Sequence, residues 1–192
     1  MKPYYKEAFD FINTFQPVPK PVYDTLYKIA SYKEIKQGEK LLDLGVVPQK
    51  IYFIASGVIR SYILLTSGKE VTTALYNPLM FFASFRALLK KEPTNLIFEA
   101  LTDCHVFEID FGVFYNLCKK DINLMTLYSK FLGYLILRSE ARFIEMSSND
   151  AKERYLLLRE RIPNLDNTIA QYQIASSLGI TPVQLSRIRA KL

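Results

Sequence analysis

The stretch Ile169–Leu192, IAQYQIASSLGITPVQLSRIRAKL, has the pattern of a helix-turn-helix. Gly179 can adopt the positive φ that ends a first helix and reverses the chain within a few residues. Thr181 then offers a side-chain oxygen as N-cap, and Pro182 suits the first position of a second helix. Apolar residues at helical spacing give each helix a packing face. These residues are Ile174, Ala175 and Leu178 on the first helix, and Leu185, Ile188 and Leu192 on the second.

The opposite face of the second helix combines small side chains with basic ones. Small side chains allow close approach to the major groove, and Arg187 can donate to both acceptors of a guanine. Basic residues near the helix end are placed for phosphate contacts. An ordinary pair of packed helices with a solvated basic face is the alternative interpretation. The residues predicted to contact DNA are Thr181, Pro182, Val183, Ser186, Arg187, Arg189 and Lys191.

The charge of the chain is unevenly distributed. The 192 residues carry a net charge of +6, and residues 151–192 hold seven Lys and Arg against three Asp and Glu. This bias favours a nucleic-acid partner, although many proteins that bind no nucleic acid share it. A hydrophobic fraction of 49% predicts a globular protein with a sizeable core.

The cysteines and the one histidine do not form a chemical site. Cys104 and Cys118 are not in a CxxC motif, and His105 points to the opposite face of a strand from Cys104. We expect two buried thiols in a reducing cytoplasm, with a redox sensor as the alternative. A cupin-like metalloenzyme needs several converging His and carboxylate ligands. We therefore predict no catalytic residue, no metal and no cofactor.

The spacing of apolar residues changes along the chain. Helical spacing over about 4–15 and 21–31 predicts two packing helices, whereas 33–109 consists of short β-rich runs separated by turns. Many short strands at this spacing are typical of a small antiparallel barrel or jelly roll. No run reaches the ~18 apolar residues of a membrane helix, and no signal segment opens the chain, so we expect a cytoplasmic protein. The predicted hairpins join Val58–Leu65 to Val71–Tyr76, and Ile97–Leu101 to Val106–Ile109.

Helical spacing returns after Asp110. A short helix is predicted near 111–119, a long one over about 121–146, and another over about 151–161 that Asn149 or Asp150 can cap. The long helix is apolar on more than one face, so we expect it to pack on its own domain and on its copy in a second subunit. A core helix of a monomer is the alternative. The predicted dimer interface consists of Leu124, Tyr128, Phe131 and Leu135.

This arrangement resembles the Crp/Fnr family of bacterial transcription regulators over nearly the whole chain. The resemblance is carried by Tyr52–Gly57 with Val58–Arg60, by Gly68–Glu70, and by Leu178–Pro182 with Leu185–Arg187. It implies a cyclic-nucleotide-binding-type β-roll, a dimerisation helix and a winged-helix DNA reader. It also implies a homodimer on a two-fold-related DNA site, with RNA polymerase as a further partner.

The phosphate cassette departs from that family. Nucleotide-binding relatives use a Gly-Glu pair for the ribose and a later Arg-Ser pair for the cyclic phosphate, where this chain has Ala83-Ser84 and Thr94-Asn95. Loss of the arginine removes a charge-assisted contact worth ~2–5 kcal/mol. The effector is therefore expected to be a small molecule other than a cyclic nucleotide, or absent. Two cysteines are also too few for an iron–sulfur cluster. The predicted effector pocket comprises Ala83, Ser84, Arg86, Thr94 and Asn95.

The predicted reader also departs from relatives of the cyclic-AMP type. Their recognition helix has an Arg-Glu pair and a later Arg, where this chain has Pro182-Val183 and Arg187. A cytosine acceptor is lost, and Val183 can instead contact a thymine methyl group. The sequence stops four residues after Ile188, so we expect a reduced or absent wing.

The sequence as a whole predicts an α+β protein in three parts. These are a sensor β-roll domain with flanking helices at 1–120, a long dimerisation helix at 121–146 and a helix-turn-helix DNA-binding domain at 151–192. The predicted function is a homodimeric transcription regulator that binds double-stranded DNA. A sensory or scaffold module that contacts protein through its C-terminal helices is the alternative.

Overall fold

The computed structural model describes residues 4–192, and its centre is a sandwich of two antiparallel sheets. The strands are β1 Ser31–Ile35, β2 Lys40–Leu42, β3 Lys50–Ser56, β4 Ile59–Leu64, β5 Glu70–Tyr76, β6 Met80–Phe82, β7 Ile97–Ala100 and β8 Cys104–Asp110. The first sheet has the order β1-β8-β3-β6 and the second the order β2-β7-β4-β5. The predicted α+β class with a jelly-roll-like β-domain is confirmed.

In the sequence of residues 4–192, two helices precede the strands of the sandwich, one lies between β6 and β7, and the others follow β8. They are α1 Tyr5–Phe15, α2 Lys20–Ile29, α3 Phe85–Lys90, α4 Phe111–Cys118, α5 Ile122–Ser148, α6 Ala151–Arg161, α7 Leu165–Thr168, α8 Gln171–Ser177 and α9 Pro182–Arg189. The helix over 151–161 is found as predicted because Asp150 and Glu153 form a capping box at its start. Neither the 27-residue α5 nor any other helix within 4–192 combines the length and apolarity of a membrane span.

One of the two predicted hairpins is confirmed and the other is wrong. β4 pairs with β5 through the turn at Gly68, but β7 pairs with β4 and β2, whereas β8 pairs with β1 and β3. The segment between β7 and β8 therefore crosses from one sheet to the other. It crosses beside Gly57, where φ is +88° and a Cβ would lie 2.5 Å from the Asp103 carbonyl oxygen and the Cys104 sulfur. Alternating apolar residues describe a strand but do not show which sheet it joins.

Three apolar clusters hold the layers together. The sandwich core lies between the sheets and contains Ile54, Ile59 and Phe98. The helix-side core covers the outer face of the first sheet, where α1, α2, α4 and the first half of α5 pack on the strands. The module-side core covers the outer face of the second sheet with residues 151–192, which we call the C-terminal module.

The predicted dimer face belongs to the protomer's own core, which corrects that prediction. The four residues concerned are Leu124, Tyr128, Phe131 and Leu135, of which the first three are buried in the helix-side core and the last packs against it. Helical spacing shows that α5 has several apolar faces but not which of them its own domain covers. The large apolar side chains left exposed in the second half of α5 are Ile136, Leu137, Phe143 and Ile144.

Both cysteines are free and buried, as predicted. Cys104 lies in the sandwich core, whereas His105 on the other face of β8 stacks against Tyr32. Burial raises the pKa of the Cys118 thiol to about 11. Residues 4–192 contain no group of three His, Cys, Asp or Glu side chains placed to bind a metal.

Candidate nucleic-acid interface

Residues 171–189 form the helix-turn-helix that the sequence predicts. Gly179 lies between α8 and α9 and has a φ of +69°, a conformation that lets the chain reverse direction between the two helices. The Thr181 hydroxyl accepts a hydrogen bond from the Gln184 amide at 3.2 Å, and the Gln184 side chain accepts one from the Thr181 amide at 2.8 Å. This capping box fixes the start of α9, with Pro182 at its first turn.

The two faces of α9 differ sharply in burial. Leu185 is fully buried against Ile174 and Ala175 of α8, which anchors α9 to its partner helix. The opposite face is free, and 61% of Val183 is exposed. Leu192 was predicted to continue the packing face, but α9 ends at Arg189 and Leu192 is exposed. The predicted DNA contacts on the free side are Val183, Ser186, Arg187 and Lys191.

Arg189 has partners inside the protein, which corrects its predicted role as a phosphate contact. Its guanidinium forms an ion pair with Asp166 on α7, and its Nε donates to the Tyr155 hydroxyl at 3.2 Å. The Tyr155 hydroxyl in turn donates to Asp166 at 2.6 Å. Arg189 therefore fastens the end of α9 to α6 and α7 through its Nε and Nη2, and its charge is paired with Asp166.

The C-terminal module is docked on the second sheet of its own chain. The Thr72 amide of β5 donates to the Ser176 hydroxyl of α8 at 2.9 Å, and Leu75 of β5 packs in the module-side core. A cleft of about 730 Å³ separates the β4–β5 turn from the start of α9. Thr181 and Pro182 line this cleft, so these two predicted DNA contacts face the protein's own sandwich.

The predicted effector pocket is only partly assembled. The structure brings Ser84 and Thr94 together, with both residues buried and their hydroxyl oxygens 2.8 Å apart, and Ala83 is buried beside Ser84. The Arg86 side chain is 77% exposed and lies 3.8 Å from Glu92, and Asn95 is exposed. These five positions therefore place no buried cation where a phosphate would need one.

Arg60 is a buried arginine of the β-domain, and its charge is already balanced. It forms ion pairs with Glu70 and Glu99, and it lies 4.0 Å from the centre of the Tyr62 ring. Burial opposes its charge, but the hydrogen bonds to Glu99 and Glu70 outweigh that effect and raise its pKa. Arg60 therefore ties β4 to its neighbouring strands and has no free charge for a ligand.

Three arginines form a cluster that was not predicted from the sequence. Arg138 and Arg142 of α5 lie four residues apart on one helix face, and Arg161 of α6 approaches them at a cavity beside α8. The i, i+4 spacing of Arg138 and Arg142 on α5 was a visible signal. The cavity itself forms only because β5, which is distant in sequence, packs beside α5 and α6.

Comparisons with known proteins find the fold of this chain in several solved structures. Residues 32–121 match the family described as cyclic nucleotide-binding domain. FixK2 from Bradyrhizobium japonicum is 21% identical with a TM-score of 0.70, over 85% of this chain and 84% of that one. A putative cAMP-binding regulatory protein from Silicibacter pomeroyi DSS-3 is 23% identical with a TM-score of 0.68, over 97% and 88%. The Thermus thermophilus catabolite activator protein is 20% identical with a TM-score of 0.56, over 93% and 85%. No curated protein matches the chain in sequence.

Proposed function

We propose that the chain, which has a cyclic nucleotide-binding-type domain at 32–121 and the fold of the Crp/Fnr regulators, is a homodimeric transcription regulator. The observation that carries the proposal is the free face of α9. A capping box fixes the start of this helix, and its exposed side holds Val183, Ser186 and Arg187. A fixed helix that presents small side chains and one arginine suits the DNA major groove.

The proposed dimer uses the exposed face of α5. Ile136 and Phe143 are seven residues apart, as are Leu137 and Ile144, which is the repeat of a two-helix seam. Gly133 precedes this stripe by three residues, and a Cβ there would meet nothing within 4 Å. Two copies packed along this seam would present two α9 helices to DNA. These helices would bind half-sites about one turn of the double helix, ~34 Å, apart.

The proposed regulator does not respond to a cyclic nucleotide. Ser84 and Thr94 hydrogen-bond to each other where nucleotide-binding relatives have charged partners for the ligand, and Arg86 points to solvent. Burying a phosphate at this place without a cation would cost ~2–5 kcal/mol relative to those relatives. Unpaired buried thiols suit the reducing cytoplasm that we propose as its location. RNA polymerase stays a predicted partner through the resemblance alone.

Selection of bound sequences from a random duplex library tests DNA recognition directly. We expect a two-fold-related site, and Arg187→Ala should weaken binding to it by ~1–3 kcal/mol and relax the preference at one base pair. Arg187→Lys is the matched control, since it keeps the charge but loses the two-donor fork. It should retain the salt dependence of binding and lose the base preference.

Two results would contradict the proposal. One is the absence of an enriched sequence together with binding that does not change with salt, which would favour the scaffold function. The other is an Arg187→Ala protein that binds the selected site as tightly as the wild type.

A further inference from the structure

A cavity of about 260 Å³ lies where the β-sandwich, α5 and the C-terminal module meet. Its walls come from β5, β6, α5, α6 and α8, and its charged side chains are Arg138, Arg142, Arg161 and Glu145. None of the five residues of the predicted effector pocket lines it. It is therefore separate from the cassette position that binds nucleotides in relatives.

The charges around this cavity do not cancel. Arg161 forms an ion pair with Glu145 at 2.7 Å, and this pair is neutral as a unit. Arg138 lies 5.2 Å from the centre of the Tyr76 ring, and no carboxylate among residues 4–192 forms an ion pair with Arg138 or Arg142. Two positive charges therefore face the cavity without a counter-charge from the described part of the chain.

Arg142 is the more constrained of these two arginines. Its Nη2 donates to the Ser177 carbonyl at 3.1 Å, which points the guanidinium across the cavity towards α8. Burial lowers the pKa of Arg142, and the nearby charges of Arg138 and Arg161 lower it further against the opposing effect of Glu145. A half-buried cation that is short of negative charge costs free energy, which an incoming anion would recover.

The remaining walls suit a small molecule. Leu75, Met80 and Met146 supply apolar surface. The Asn77 amide makes no side-chain hydrogen bond to any other residue within 4–192, so it can donate to or accept from a ligand. The volume lies just below the ~300–1,000 Å³ of typical ligand pockets, which favours a compact metabolite over a nucleotide.

We propose that this cavity binds a small dianion bearing carboxylate or phosphate groups, with Arg138 and Arg142 as charge partners and Asn77 as a hydrogen-bonding partner. Such a ligand would touch the sandwich, the long helix and the C-terminal module at once. Its occupancy would therefore bias how the module sits on the sandwich. That regulatory consequence depends on the proposed function, whereas the binding itself does not.

Calorimetric titration of the full chain, without DNA, tests the site. The probes are inorganic phosphate and succinate at constant ionic strength, which separate the two anion chemistries. We expect at least one probe to bind with a Kd of about 1 mM or lower. Arg142→Gln and Arg138→Gln should each weaken it about tenfold or more, because each removes a charge-assisted contact.

Two variants with the same loss of charge serve as controls. Arg86→Gln removes the arginine near the cassette position, and Arg187→Gln removes the one on the recognition helix. Both should bind the probe as the wild type does. The Arg138 side chain makes no hydrogen bond within the described chain, so Arg138→Gln keeps the test valid if Arg142→Gln fails to fold.

Three outcomes would overturn the site. They are no binding of either probe to the wild type in the stated range, unchanged binding in both cavity variants, or an equal loss in Arg86→Gln or Arg187→Gln. DNA selection with the unliganded protein is a separate measurement. A failure of the anion site thus leaves DNA recognition untouched, and the reverse also holds.

Discussion

The two outer faces of the β-sandwich are both covered by helices, but they are covered in different ways. On the first sheet, aromatic rings interlock around Phe131, whose ring centre lies 5.0 Å from that of Phe81 and 6.0 Å from that of Phe85. On the second sheet, the C-terminal module rests on a few apolar contacts and the hydrogen bond from Thr72 to Ser176.

The second face also contains the larger spaces. Its cavities are about 260 and 730 Å³, against about 60 Å³ for the one beside Phe131 on the first face, and the buried Thr72 hydroxyl has no hydrogen-bond partner among the described residues. Unfilled space and an unsatisfied polar group each reduce the stability of an interface. We infer that the first face contributes more to the stability of the fold than the second.

The largest effect is expected from Phe131→Ala on the first face. Removing a buried ring from this aromatic cluster should lower the free energy of unfolding by about 3–5 kcal/mol. Chemical denaturation of the whole chain measures it. Phe143→Ala removes the same side chain from an exposed position on the same helix and should change the protomer's stability little. Similar losses in both variants would contradict the division of α5 into a core face and a free face.

Phe143→Glu should act on assembly and leave the protomer folded. Phe143 is 72% exposed, so its ring is free to contact a second copy. A charge placed in an apolar seam should weaken the dimer by about 2 kcal/mol or more, roughly thirtyfold in its Kd. Sedimentation equilibrium measures this change. Val113→Glu, at an exposed apolar position on α4, should leave the Kd unchanged. A wild-type chain that is monomeric would remove the basis of this prediction.

Ser176→Ala tests whether the second face opens independently. The variant leaves the buried Thr72 amide without an acceptor, which should lower the opening free energy of the module by about 1–3 kcal/mol. Hydrogen exchange of β5 and α8 should then speed up while the first sheet keeps its protection. Ser147→Ala, at an exposed serine, is the control. Equal acceleration in both sheets would show that the two faces unfold as one unit.

The smallest effect concerns the Cys118 thiol in the helix-side core. Its pKa of about 11 lies above the ordinary value of 9.0, so the folded state keeps the proton where the unfolded chain loses it. The stabilising contribution is complete below about pH 8 and declines as the pH rises towards 11, by less than about 1 kcal/mol at about pH 9.5. Comparing wild type with Cys118→Ala across this range isolates the contribution. A difference between the two that does not change with pH would contradict it.

Local signals in the sequence predicted local structure well. The turn at Gly179, the cap at Thr181 and the cap at Asn149 or Asp150 each depend on residues within three or four positions, so the sequence was enough to predict them. The order of the longer helices and of the β-region followed from similarly short patterns, whereas α3 inside the β-region and α7 were not predicted.

Contacts between elements distant in sequence were not predictable in this way. No residue next to Arg189 in the sequence indicates that Asp166 is its partner, and the apolar residues of α5 do not indicate which face its own domain covers. The arginine-lined cavity is a further case, since Arg138, Arg142 and Arg161 converge only after β5 and α8 have packed around them.

The short break between α5 and α6 has a mechanical consequence. α5 ends at Ser148, and Asn149 and Asp150 are extended before α6 begins with its own capping box. Rotation at these two residues would change the direction of α6 relative to α5 without unwinding a turn of either helix. The free energy of that movement would be set by the contacts that the module makes with the sandwich and with α5, among them the Thr72–Ser176 hydrogen bond and the Arg161–Glu145 ion pair.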